Sequence, residues 1–317
     1  MRVYAFPIAT QSGSARGAAR PTSVIGEPRA GRQSVDRRHL THPVETPILR
    51  FAESASPFRA AVIRATDVSL PTLVTITLSH YCEKARWGLD RAGIAYREAR
   101  HAPGFHAFAV RRAGGRRTTP ILVTDDGVIG DSTDILLWAN GRAPPGRALY
   151  PEDRAERAEV LALEERFDED LGPHVRRAIY FDLLPSPKLT VPMMTHGVPG
   201  HERALLPLLY GPLQRVMRSS MRIDAAGAKR SLDTLMAVVD DVSKLLADGR
   251  RYLAGDRFGA ADITFAALAA PAVCPPGYAV PLPRAEDLPA GAAAMLRAVR
   301  DTPAGAFCLR MYRDERR

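Results

Sequence analysis

The chain has 317 residues, 46% of them hydrophobic, enough for two domains of ordinary size with a core in each. No apolar stretch approaches the roughly 18 residues that a membrane-spanning helix needs, since the most apolar run, Ile263 to Val273, is short and broken by Pro271. The formal charge of +9 does not read as a nucleic-acid surface: the cations are nearly all Arg, with Lys only at 84, 188, 229 and 244, and no stripe of clustered Arg with interleaved aromatics is present.

Residues 1–70 are rich in Arg, Ser, Ala, Gly and Pro and show no sustained period. Such a stretch buries too little apolar surface to offset its ordering entropy, so a disordered extension is expected and is left out of the fold argument. The first Arg is followed by no apolar core of the kind a secretory signal carries. Cys82, Cys274 and Cys308 have no paired spacing, which argues against a disulfide framework and against a zinc site; no metal is expected, and the simplest compartment is a reducing cytoplasm.

Order is predicted to begin near Leu73. Leu73 to Leu78 is β-branched and apolar and reads as a buried strand; Cys82 to Ala92 reads as a helix closed by Gly93; Ile94 to Glu98 reads as a second strand. A loop with a short helix fills 101–117. Pro120 to Thr124 is a third strand, Asp125-Asp126-Gly127 a hairpin turn, Val128-Ile129 a fourth strand, and Asp131 opens a helix running to about Asn140. The result is a βαβ unit followed by ββα, one mixed sheet with helices packed on it. Residues 142–150 form a linker, and beyond it strand signals stop. Helices are predicted over 152–184, with a bend at Gly172-Pro173, over 201–247 in one or two pieces, over 260–270, and near 291 and 304; 185–200 and 271–290 read as Pro-rich loops. Leu232, Leu235, Met236, Val239, Val242 and Leu246 form the buried stripe of the second of these stretches. The fold class is therefore an α/β thioredoxin-like domain over 71–141 and an all-α domain over 151–317.

Three clusters carry chemistry. Ser79-His80-Tyr81-Cys82 sits where a strand turns into a helix, and a helix N-terminus stabilises a thiolate. The Ser79 hydroxyl can donate to the same sulfur. In Thr118-Thr119-Pro120, a cis-proline at the head of a strand would turn the Thr119 main chain outward to pair with an extended peptide. Asp131-Ser132 opens a second helix whose N–H groups and Ser132 hydroxyl suit a carboxylate, unless Ser132 is simply the N-cap. Together they describe a site for a small, acidic, thiol-bearing peptide.

Residues Leu73 to Asn140 resemble the N-terminal domain of glutathione S-transferases. Ser79-His80-Tyr81-Cys82 with Arg86 is similar to the family's Ser/Cys-Pro-Tyr-x run, Thr119-Pro120-Ile121-Leu122 to its cis-proline strand, and Asp131-Ser132 with Ile135 to its γ-glutamyl-holding run. Leu253 to Phe258 with Asp262 and Ile263 is similar to the folding-motif helix of its helical domain, with Gly259 where Ser or Thr usually caps. The resemblance implies glutathione as co-substrate, held by Thr119, Pro120, Asp131 and Ser132, with Ser79 stabilising its thiolate against a small hydrophobic electrophile, and it implies a homodimer. Two alternatives stay open: a glutathione-dependent thiol–disulfide oxidoreductase or deglutathionylase using Cys82, the position of the second cysteine in a C-x-x-C-like run, and a glutathione-fold binding protein without turnover. His80, in place of the usual Pro, implies either a looser turn or a titrating group near the sulfur. His106, Arg116 and Arg117 are candidates for the glycyl carboxylate, Arg86 is read as a structural pairing residue, and Asp262 as a brace for its helix.

Overall fold

The computed structural model describes residues 70–116 and 118–316; the expected extension over 1–70, Leu70 aside, and Arg117 lie outside the described residues. Strand β1 (Thr72–Ile76) pairs in parallel with β2 (Arg97–His101) and antiparallel with β3 (Ile121–Thr124), which pairs antiparallel with β4 (Gly127–Ile129), giving the order β2-β1-β3-β4. Helices α1 (His80–Arg91), α2 (His106–Arg112) and α3 (Ser132–Asn140) connect or follow these strands. A mixed four-stranded thioredoxin-like domain followed by helices is thus the architecture.

Two boundaries move from their sequence positions for identifiable reasons. Strand β1 ends at Ile76 because its carbonyl accepts from Ser79 N at 3.0 Å and turns the chain into α1. Strand β2 starts at Arg97, not Ile94. Gly93, at φ 72°, closes α1, and Ile94 N bonds back to Leu89 O at 3.0 Å, the signature of a Schellman end. Ile94 and Tyr96 pack against the core from this connection rather than from a strand.

The helical part comprises α4 (Arg154–Arg166), a π turn (Phe167–Leu171), α5 (Gly172–Leu183), α6 (Pro187–Met194), α7 (Gly200–Ser220), α8 (Ala225–Leu245), α9 (Ala260–Val273), α10 (Ala290–Arg300) and α11 (Pro303–Asp314). The bend expected at Gly172-Pro173 takes the form of the π turn just before it. The expected loop over 185–200 contains α6 instead, because Pro187 occupies the first helical position, where a missing N–H costs nothing. In α8 the buried face is Leu235, Val238, Val239 and Val242, while Leu232 is 36% exposed and falls outside the stripe.

Helix α9 is the hub. All but one of its residues are buried, and α1, α4, α5, α10 and α11 pack on it. Its start is braced by Asp262: one carboxylate oxygen accepts from Gly259 N at 2.9 Å and the other from Leu253 N at 2.8 Å. Glycine cannot supply the hydroxyl half of a capping box, so Asp262 carries this end alone. Helix α1 also meets the π turn, where Tyr81 Oη donates to Asp168 O at 2.9 Å. Gly172 leaves room for that ring, since a Cβ there would overlap the Tyr81 hydroxyl. Among the described residues, no helix is long and apolar enough to cross a membrane.

Candidate functional site

The antiparallel register Val74↔Ile121 sets the C-terminal end of β1 beside the N-terminal end of β3. Ser79 and Thr119-Pro120 therefore share one edge of the sheet, and the peptide bond between Thr119 and Pro120 is cis. Both segments lie close to Cys82: burial pushes its thiol up, and Ser79, Thr119 and the Ile76 main chain each pull it down. Two residues further along α1, Lys84 Nζ reaches Thr133 Oγ1 at 2.7 Å and ties the start of α3 to the same helix. The three sequence clusters are thus brought together by consecutive turns of α1.

Ser79 is the N-cap of α1: it is extended (φ −72°, ψ 125°), half-buried, and its Oγ accepts from Cys82 N at 3.4 Å. Capping uses a lone pair and leaves the O–H to donate, so the structural and the thiol-stabilising readings of Ser79 are compatible. Among the described residues, no hydrogen bond uses the Thr119 N–H or C=O. Asp131, exposed, is the N-cap of α3 and accepts from Thr133 N at 2.8 Å. That corrects the reading of Ser132 as the cap: Ser132 is the first helical residue, and its hydroxyl has no protein partner among the described residues.

Two sequence readings are changed by burial. Cys82 is fully buried, and desolvation pushes its thiol up from the ordinary value, against the opposing pull of Arg86 and its hydrogen bonds. A nucleophilic cysteine at a helix start calls for the reverse, an accessible sulfur with a lowered pKa. His80 is likewise buried, and its Nε2–H donates to Gly172 O at 3.1 Å. Desolvation, helped by the Arg176 charge, lowers it to about 3. It is a neutral donor fixing the turn against α5, not a group that titrates near neutrality.

Arg86 is the structural pairing residue expected: 2% exposed, it donates to Glu98 at 2.7 Å, Glu83 at 3.2 Å and Thr77 O at 3.3 Å. His106 Nδ1 accepts from Gly104 N at 3.1 Å, and burial lowers its pKa, so it offers no cation to a carboxylate. Arg116 is exposed. Sequence reasoning missed Lys84, which is fully buried and also lies 2.8 Å from Asp168 Oδ2 and 3.2 Å from Glu164 Oε1. It missed Arg176 as well, whose position on α5 only the fold reveals. A cavity of about 540 Å³ runs along the Pro-rich loop from Cys274 to Glu286, whose Tyr278 hydroxyl donates to Leu78 O at 2.9 Å. No group of His, Cys, Asp and Glu suited to a metal ion occurs among the described residues.

A cis-proline strand, two helix N-termini on the same sheet edge and a following all-helical part define a thioredoxin-like domain joined to a helical one. Residues 73–147 match the family model described as the glutathione S-transferase N-terminal domain. No curated protein matches. Among solved structures, the β-etherase LigF of Sphingobium sp. strain SYK-6 is similar with 19% identity and a TM-score of 0.49, over 75% of this chain and 98% of that one. A glutathione S-transferase of Rhodospirillum rubrum is similar with 23% identity and a TM-score of 0.45, over 78% and 99%. A theta-class glutathione S-transferase of Xanthomonas axonopodis pv. citri, solved with glutathione bound, is similar with 19% identity and a TM-score of 0.42, over 76% and 97%.

Proposed function

We propose that this chain binds glutathione at the edge formed by Ser79, Thr119 and Ser132 and transfers it to an electrophilic carbon. The supporting observation is the convergence of an uncommitted hydroxyl hydrogen on Ser79, an unpaired Thr119 main chain beside a cis-proline and an unpartnered Ser132 hydroxyl at the start of α3. An extended tripeptide uses all three. Its cysteinyl amide pairs with Thr119, its γ-glutamyl carboxylate meets Ser132 and the α3 N-terminus, and its ammonium meets Asp131. The thiol loses its proton to solvent and its sulfur, stabilised by Ser79 O–H, forms a C–S bond as the leaving group departs with its electron pair. The same reading includes a homodimer, checked by sedimentation, and a reducing cytoplasm, with which three unpaired cysteines accord.

The buried, raised thiol of Cys82 speaks against the oxidoreductase alternative. The test is the conjugation rate with 1-chloro-2,4-dinitrobenzene as a function of pH. Ser79→Ala is expected to lower the rate about ten- to a hundredfold at neutral pH, the worth of a hydrogen bond to a charged group, and to recover part of it as pH rises. Loss of activity in Cys82→Ser with Ser79→Ala fully active would overturn the assignment. Glutathione binding without turnover of any electrophile would leave a binding protein.

A further inference from the structure

Helix α5 touches the active-site turn along one face. Gly172 receives the His80 hydrogen bond at 3.1 Å and makes way for Tyr81. Residues four apart lie on one side of a helix, so Arg176 and then Tyr180 continue that face away from the turn. Tyr180 and Leu78, the residue just before Ser79, both pack against the two largest apolar clusters. The Arg176 charge is felt by His80 and by Tyr180, which places it beside the turn that carries Ser79.

Arg176 is the anomaly on this face. It is half-buried, its Nε is covered and bonded to nothing, and no carboxylate pairs with its guanidinium among the described residues. The Tyr180 hydroxyl has no protein partner there either. A covered N–H donor bonded to nothing is uncommon, and proteins ordinarily satisfy it. The surroundings do not compensate. Neighbouring His80 is neutral, and the charges around the adjacent Arg177 are Arg176, Arg222 and Arg230 against Asp224 alone. Arg177 itself is committed to Met221 O and Ser231 Oγ, both at 2.8 Å. Arg176 therefore has donors to spare, with the Tyr180 phenol near it as a further donor.

We propose that Arg176, with Tyr180, binds an anionic group on the electrophilic substrate, so that the acceptor is an apolar molecule bearing a carboxylate or a similar oxyanion. This rests on the glutathione-transfer reading above and narrows its substrate class. The guanidinium presents paired N–H donors to a planar carboxylate, and the Tyr180 O–H adds a third. The transfer step is unaltered: the C–S bond forms, the leaving group departs from the attacked carbon, and the carboxylate stays bound and unreacted.

The test needs no turnover. Two synthetic conjugates, S-(2,4-dinitrophenyl)glutathione and its 4-carboxy-2,6-dinitrophenyl counterpart, are titrated calorimetrically into the full chain, alongside glutathione itself. The carboxylated conjugate should bind the wild type more tightly by about tenfold, the worth of a charge-assisted pair. Arg176→Gln should abolish that preference and Arg176→Lys should restore part of it, with the uncharged conjugate as the internal reference for an intact cleft. Salt should weaken only the carboxylated conjugate. Glutathione binding with no preference between the conjugates, or a preference that survives Arg176→Gln, overturns this proposal alone. If the glutathione affinity itself falls in Arg176→Gln, the guanidinium serves the tripeptide's own carboxylate and the acceptor assignment is wrong. Absence of glutathione binding overturns the parent reading and this one with it.

Discussion

Lys84 Nζ lies 2.8 Å from Asp168 Oδ2, joining the helix that follows the Ser79 turn to the π turn of the helical part, with the ammonium wholly removed from water. The pair is the centre of a larger cluster. Glu164, 3.2 Å from the same ammonium, accepts from Tyr150 Oη at 2.7 Å and Thr264 Oγ1 at 2.9 Å, and Thr133 Oγ1 donates to Asp168 Oδ2 at 3.0 Å. Burial raises the Asp168 carboxyl against the pull of Lys84, and the two carboxylates raise Lys84 against the cost of its own desolvation. The arrangement fixes α1, α3 and α9 around the candidate site.

Removing the ammonium should therefore be costly. Lys84→Met leaves two buried carboxylates facing each other, and a loss of about 3–5 kcal/mol in denaturant unfolding is expected, as for the breaking of a buried pair. A loss below about 1 kcal/mol, the worth of an exposed pair, would mean that the network is loose and solvated.

His80 and Asp262 should tilt the pH dependence of stability in opposite directions. Folded His80 stays neutral down to about 3, while the unfolded side chain takes up its proton near 6.5. Its stabilisation is present above 6.5 and is lost on acidification toward 3, at about 1.4 kcal/mol per pH unit inside that window. Burial raises folded Asp262 from 3.8 to about 7, so the folded state holds the extra proton between those values and stability is lost as pH rises. The two slopes oppose each other between about 4 and 6.5. Relative to wild type, His80→Gln should gain stability on acidification through this range and Asp262→Asn should lose it. Unfolding curves at pH 4, 5 and 6 measure the difference, and parallel curves for all three proteins would refute both assignments.

Strands β1 and β3 and helices α1 and α3 were legible because their signals are local: a β-branched run for β1, Gly93 closing α1, Asp131 opening α3, and Pro120 at the head of β3. What escaped depends on chain segments far apart. Strand β2 carries mostly polar residues, of which Glu98 is paired by Arg86 on α1 and His101 by Glu202 on α7, so the apolar Ile94 and Tyr96 attracted the assignment instead. Helix α6 was hidden by Pro187 and Pro192, which read as breakers until their positions in the turn are known. The Lys84–Asp168 pair, the neutral state of His80 and the burial of Cys82 arise from packing between the sheet domain and helices beginning some seventy residues later. Nothing local marks Arg176 as a neighbour of His80.

Cysteine reactivity separates a buried strut from a nucleophile. With iodoacetamide under native conditions, peptide mapping should find Cys82 and Cys308 unmodified, since both are buried with raised thiols. Cys274, half-exposed and pushed up to about 11, should react slowly. Fast alkylation of Cys82 with a midpoint below pH 8 would restore the oxidoreductase reading.

The central claim is that the edge formed by Ser79, Thr119 and Ser132 binds glutathione, and calorimetric titration of glutathione into the wild type and Ser132→Ala tests it most directly. The account predicts saturable binding at one site per chain, weakened about tenfold in the variant by loss of one hydrogen bond to the γ-glutamyl carboxylate. Folded wild type that takes up no glutathione, or binding indifferent to Ser132→Ala, would contradict it.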